Sequence, residues 1–102
     1  MARSYSEQFL LSLNSLNPKK LGVQFGKICV RANLPPSVIA GVVGVSRMTV
    51  HSWFRGKAIR EKNADKIEKL MDIFEADLEQ GTLPVSSVEA AKKYVGQLVV
   101  DN

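Results

Sequence analysis

A chain of 102 residues has room for one domain and a short appendage, at roughly 100–200 residues per domain. Its 45% hydrophobic, 24% charged and 7% aromatic residues match an ordinary globular protein and exclude a disordered tail. The longest apolar stretch, Val38 to Val45, is far shorter than the ~20 residues of a membrane span.

No membrane partner, signal peptide or anchor is therefore expected. One cysteine, Cys29, and one histidine, His51, supply neither an intrachain disulfide nor a zinc ligand set, so no metal and no cofactor are expected and a reducing cytoplasm suits the chain. The net charge of +4 is unevenly distributed. Residues 1–62 carry ten Lys/Arg against Glu7 and Glu61, whereas residues 63–102 carry four lysines against eight acids. A basic block of this kind suits a nucleic-acid or anionic-lipid face, because attraction at long range depends on net charge before geometry.

Helical signals dominate and no repeat is present. Ser4-Tyr5-Ser6-Glu7 has the form of a capping box ahead of Phe9, Leu10, Leu13 and Leu16, which predicts a first helix capped by Ser4. Asn17-Pro18 predicts the start of a second helix, with Leu21, Phe25, Ile28 and Ala32 on its buried face. Leu34-Pro35-Pro36 ends that helix and opens a short third one, Pro36 to about Val43. Beyond Glu61, the stripe Ile67, Leu70, Met71, Phe74 and Leu78 marks a long amphipathic helix that Gly81 stops. Ser86-Ser87-Val88-Glu89, a second box, predicts a last helix capped by Ser86 with Val88, Ala91, Val95 and Leu98 on one side. A short terminal strand at Leu98-Val99-Val100 stays open as an alternative.

The positions between Pro36 and Gly56 make sense as two short helices crossing steeply over a tight turn. Ile39, Ala40 and Val43 face inward from the first, and Val50 and Trp53 from the second. Gly44 falls where the chain must turn with positive φ, Val45 plugs the turn, and Ser46 can cap the next helix through the amide near Thr49. Arg47, Met48, His51, Ser52 and Arg55 then face outward. This pattern is a helix-turn-helix with an exposed recognition face. Gly41, costly within so short a helix, suggests a close backbone approach.

Ala40, Gly44, Val45, Val50 and Trp53, followed by Phe54-Arg55-Gly56-Lys57, resemble the lambda-repressor-like (Cro/repressor, XRE-type) helix-turn-helix family over about residues 18–80. The resemblance implies an all-α bundle of about five to six helices and a DNA-binding regulator of phage or bacterial origin. By matching position it implies base contacts from Arg47, Met48, Thr49, His51 and Ser52. Arg55 and Lys57 would hold phosphates. Pro36 stands where many relatives carry Gln, so a usual phosphate clamp is missing or is replaced by Ser37. Arg47 can pair bidentately with guanine, and Met48 can pack on a thymine methyl. Arg60 and Lys62 extend the basic cluster beyond Arg55 and Lys57, where loop residues can straddle the backbone.

Each residue also has a plainer reading. Arg47, Arg55 and the loop 55–62 could be solvated surface charge, and His51 an exposed neutral side chain. Cys29 and Trp53 are expected to fill core. The acidic series Asp65, Glu68, Asp72, Glu75 and Glu79 is either a hydrated face or a surface for a partner such as RNA polymerase. Residues 1–80 are expected to form the helix-turn-helix domain and residues 81–102 a C-terminal helix, with Val95, Leu98 and Val99 as a candidate homodimer interface.

The leading expectation is a cytoplasmic or nucleoid-associated, sequence-specific double-stranded DNA-binding repressor that binds a palindromic operator as a dimer. The alternatives are a terminase small subunit-like packaging protein and a helix-turn-helix module used for protein–protein interaction. No phosphate-binding glycine loop, metal spacing or triad suggests an enzyme.

Overall fold

The computed structural model describes residues 5–98, and among them six α-helices and no strand are found. The helices are α1 Glu7–Ser15, α2 Leu21–Ala32, α3 Pro36–Val43, α4 Arg47–Phe54, α5 Glu61–Glu79 and α6 Val88–Gly96. Three of them begin where a serine hydroxyl takes up an amide that the first turn leaves unpaired: Ser6 accepts from the Phe9 amide, Ser46 from Thr49 and Ser87 from Ala90, each at 3.1 Å.

Two caps differ from the expected ones. α1 starts from Ser6 rather than Ser4 because Tyr5 is committed elsewhere. Its ring is buried and stacks on Phe9, and its hydroxyl donates to the Leu34 carbonyl at 2.6 Å, so the chain is still extended at Ser6. α6 starts from Ser87 rather than Ser86 because the preceding Val85 is tied on both sides to the end of α2. The Val85 amide donates to the Ala32 carbonyl, and its carbonyl accepts from the Asn33 side-chain amide at 2.9 Å. α2 also starts later than Asn17-Pro18 suggests. The Asn17 carboxamide accepts from the Lys19 amide at 3.0 Å, which closes a local turn and delays the helix to Leu21.

The core gathers around α2, which packs against α4 and α5, while α3 packs against α4 and α6. Phe25 lies between Phe54 and Phe74, with ring centroids 5.9 and 6.2 Å away. Ile39, Val50, Trp53, Ile67 and Leu70 close the space around them, and Cys29 fills core as expected. Burial pushes the Cys29 thiol well up from its ordinary range.

The segment beyond residue 80 shares this core. Leu83, Val85 and Ala91 are buried within the same cluster, and Tyr94 donates to the Asp77 carboxylate of α5 while its ring meets Phe74. Residues 81–98 are thus not a unit apart. Val95 and Leu98 pack in part against their own core; of the alternative strand at Leu98-Val99-Val100, Leu98 is in no strand, and Val99 and Val100 lie outside the described residues. Gly41 also differs from expectation. A β-carbon there would meet nothing within 4 Å, and the residue instead lines an open groove of about 470 Å³ between α3 and α6.

Candidate nucleic-acid interface

The turn between α3 and α4 depends on one residue's handedness. Gly44 ends α3 with φ of 86°, and both its amide and that of Val45 return to the Ala40 carbonyl, at 2.8 and 3.1 Å. A side chain at this φ would be strained, so glycine allows the chain to reverse within three residues. Lys66 reaches across from α5 to the Val43 carbonyl at 3.4 Å, placing a positive charge at the end of α3.

α4 is propped from behind by Val50, Trp53 and Phe54, all buried. Phe54, which the periodicity of the sequence leaves unassigned, is fully buried against Phe25 and Phe9. α2 approaches α4 so closely that a β-carbon at Gly22 would stand 2.1 Å from the Trp53 carbonyl oxygen. The rear of α4 is therefore held by backbone contact as well as by side chains.

With its rear fixed, the helix repeat sets what α4 presents outward. Met48 forms the crest at 78% exposure. On one flank, Arg47, His51 and Arg55 follow at intervals of four and line a cleft of about 450 Å³. Ser6 and Phe9 from the start of α1 and Pro35, Pro36 and Ser37 from the start of α3 complete its lining. On the other flank, Thr49 and Ser52 line a second cleft of about 360 Å³ that Lys57, Arg60 and Asn63 complete. Lys62 is exposed on α5 and lines neither cleft.

Nine of the ten expected contact residues thus converge on one face, and Lys62 stands outside both clefts. Among the described residues, neither cleft is lined by a carboxylate. His51 is held below its ordinary range, first by partial burial and then by the Arg55 and Arg47 guanidinium groups. Two of the polar side chains are partly engaged already. The Ser52 hydroxyl donates to the Met48 carbonyl at 3.0 Å, leaving it only its acceptor capacity, and the Thr49 hydroxyl bonds to Ser46 at 2.9 Å.

Sequence reasoning missed Ser6, Phe9 and Asn63 as parts of this face. No local signal marks them, because α1 reaches α4 through the tertiary packing of Tyr5 and Phe9 on Phe54, and Asn63 comes from α5. The four-residue spacing of Arg47, His51 and Arg55 could have shown that these three share an edge. Among the described residues, no cluster of side chains could hold a metal ion, and no helix is long and apolar enough to cross a membrane. In comparisons with known proteins, no protein-family model, curated protein or solved structure matches the chain.

Proposed function

We propose that this protein is a sequence-specific double-stranded DNA-binding regulator of the lambda-repressor-like helix-turn-helix kind, with α4 as its recognition helix. The observation that carries the reading is the exposed crest of α4, Met48, flanked by two carboxylate-free clefts holding Arg47, His51 and Arg55 on one side and Lys57 and Arg60 on the other. An α-helix is about 10–12 Å across and the major groove about 12 Å wide, so an inserted helix brings its exposed face to base edges between the two phosphate walls. The chain acts by occupying its site, as a binding protein rather than an enzyme, in the bacterial cytoplasm or nucleoid.

A homodimer on a two-fold site is the natural arrangement for such a module. The longest dimension of the described residues is 33 Å, which suits copies placed on half-sites about 34 Å apart. The acidic residues Asp65, Glu68, Asp72, Glu75 and Glu79 of α5 are all exposed, which leaves them open to a partner such as RNA polymerase.

Selection of bound duplexes from a random pool tests this reading, with recovery of a palindrome as the expected result. The selected duplex should then bind with a log–log salt slope of about −4 to −5 per subunit, for about five neutralised phosphates. Failure of the protein to retain any duplex at low ionic strength would overturn the proposal. Light scattering of the complex separates a dimer from the many subunits of a packaging ring.

A further inference from the structure

The cleft of about 450 Å³ beside α4 is lined from α4, from the start of α3 and from the segment that opens α1. Three cationic or protonatable side chains, Arg47, His51 and Arg55, stand in a row along one wall. Lining it with them are the hydroxyl-bearing Ser37 and Ser6 and the half-buried ring of Phe9. Arg47 and Arg55 lie about one helical turn to either side of His51 and share the cleft with it. Such a row is stabilised by an anion placed between its members, and none of the lining side chains supplies one.

We infer that this cleft is a seat for a backbone phosphate of one DNA strand, held by Arg47, His51 and Arg55 with the Ser37 hydroxyl, and that α1 forms its outer wall. The inference rests on the DNA-binding reading above and reassigns two residues within it. Arg47 and His51 hold the phosphate wall instead of reading bases, and base reading falls to the crest at Met48 and the opposite flank at Thr49 and Ser52. It also brings α1, which lies outside the stretch that resembles the helix-turn-helix family, into the interface.

A phosphate seat and a base-reading edge respond differently to mutation. Contacts to phosphate weaken binding evenly across sequences and reduce the salt slope by roughly 0.9 per phosphate released, whereas base contacts discriminate between sequences and leave the slope alone. Arg47→Gln and Arg55→Gln are expected to weaken the selected duplex and a scrambled one by the same factor, with a shallower salt dependence.

His51 supplies a second readout. The charged and titratable groups around it are Arg47 and Arg55 on its own helix and Tyr5 before α1, with the neutral hydroxyls of Ser6 and Ser37 also lining the cleft. The Tyr5 hydroxyl is engaged by the Leu34 carbonyl. Glu7 is exposed and does not line the cleft. A phosphate among these groups favours the imidazolium, so binding takes up a proton and affinity rises as pH falls from about 7.5 to about 5.5. His51→Gln is expected to remove that pH dependence.

The role of α1 is tested by Ser6→Asp, which keeps an N-cap as good as serine while adding a negative charge to the seat. It is expected to weaken duplex binding about three- to tenfold with unchanged thermal stability, because a carboxylate lining the cleft repels the phosphate seated there. The same charge at the far end of α1, in Ser15→Glu, lies about 13 Å away along the helix and should change affinity by less than twofold.

Each outcome decides something. Even losses in Arg47→Gln and Arg55→Gln, a flat pH profile in His51→Gln and a selective effect of Ser6→Asp support the seat. Relaxed sequence preference in Arg47→Gln with an unchanged salt slope, or equal effects of Ser6→Asp and Ser15→Glu, overturns it while DNA binding stands. Loss of wild-type binding to any duplex overturns both.

Discussion

Replacing Gly22 by alanine adds one methyl group where the backbones of α2 and α4 meet. The new carbon would lie 2.1 Å from the Trp53 carbonyl oxygen and 2.7 Å from its carbonyl carbon, whereas ordinary contact begins at 3.4 Å. α2 and α4 would have to part by about 1 Å or more to restore normal contact. The carbonyl cannot turn aside freely, because it accepts from the Gly56 amide at 2.9 Å and closes the turn after α4. Overpacking typically costs about 1–3 kcal/mol, and a clash between two backbones belongs at the upper end. Alanine regains about 0.5–1 kcal/mol of helix propensity, which leaves a net loss of about 2 kcal/mol.

For a domain of this size that loss lowers Tm by about 8–16 °C. The same substitution at Gly41, where a β-carbon meets nothing within 4 Å, should instead stabilise by about 0.5–1 kcal/mol. Urea titrations followed by Trp53 fluorescence and far-UV circular dichroism measure both. Gly22→Ala should also bind duplex more weakly at a temperature where it remains folded, because α4 is displaced. Equal stability of Gly22→Ala and wild type, or a loss in Gly41→Ala, would refute the claim that backbone contact positions α4.

Ser46→Ala removes the cap of α4 and the partner of Thr49. It should cost about 1 kcal/mol and speed amide exchange in the first turn of that helix. At Asn33, where φ is 58° and the side-chain amide donates to Val85, glycine should cost about 1–3 kcal/mol for the lost bond and alanine more for the backbone strain, so the thermal ranking is wild type, then Gly, then Ala. Burial, with a smaller contribution from Cys29, raises the Tyr5 hydroxyl above its ordinary range; burial and Asp77 raise that of Tyr94. Their contribution to stability is complete below the unfolded tyrosine value of about 10 and is lost as pH rises beyond it, because only the unfolded chain ionises there. Urea midpoints between about pH 8 and about pH 11 should fall more steeply for wild type than for Tyr5→Phe.

Local chemistry settled much of this protein in advance. The apolar spacing of Phe25, Ile28 and Ala32, the Ser46 cap, the left-handed turn at Gly44 and the inward Val50 and Trp53 all depend on neighbours within about two helical turns, so α2 to α5 could be read from the sequence to within a few residues. The same periodicity placed Arg47, Met48, His51 and Arg55 on an outer face. The starts of α1 and α6 were decided otherwise. Equivalent serines stand one or two positions apart at each, and only the distant ties of Tyr5 to Leu34 and of Val85 to Ala32 and Asn33 select between them. The folding of residues 83–94 into the central core, the meeting of Gly22 with Trp53 and the cleft that α1 shares with α4 were likewise fixed by tertiary structure. Their contacts join residues far apart in the chain, and no hydrophobic repeat or capping pattern encodes which distant partner a surface will find.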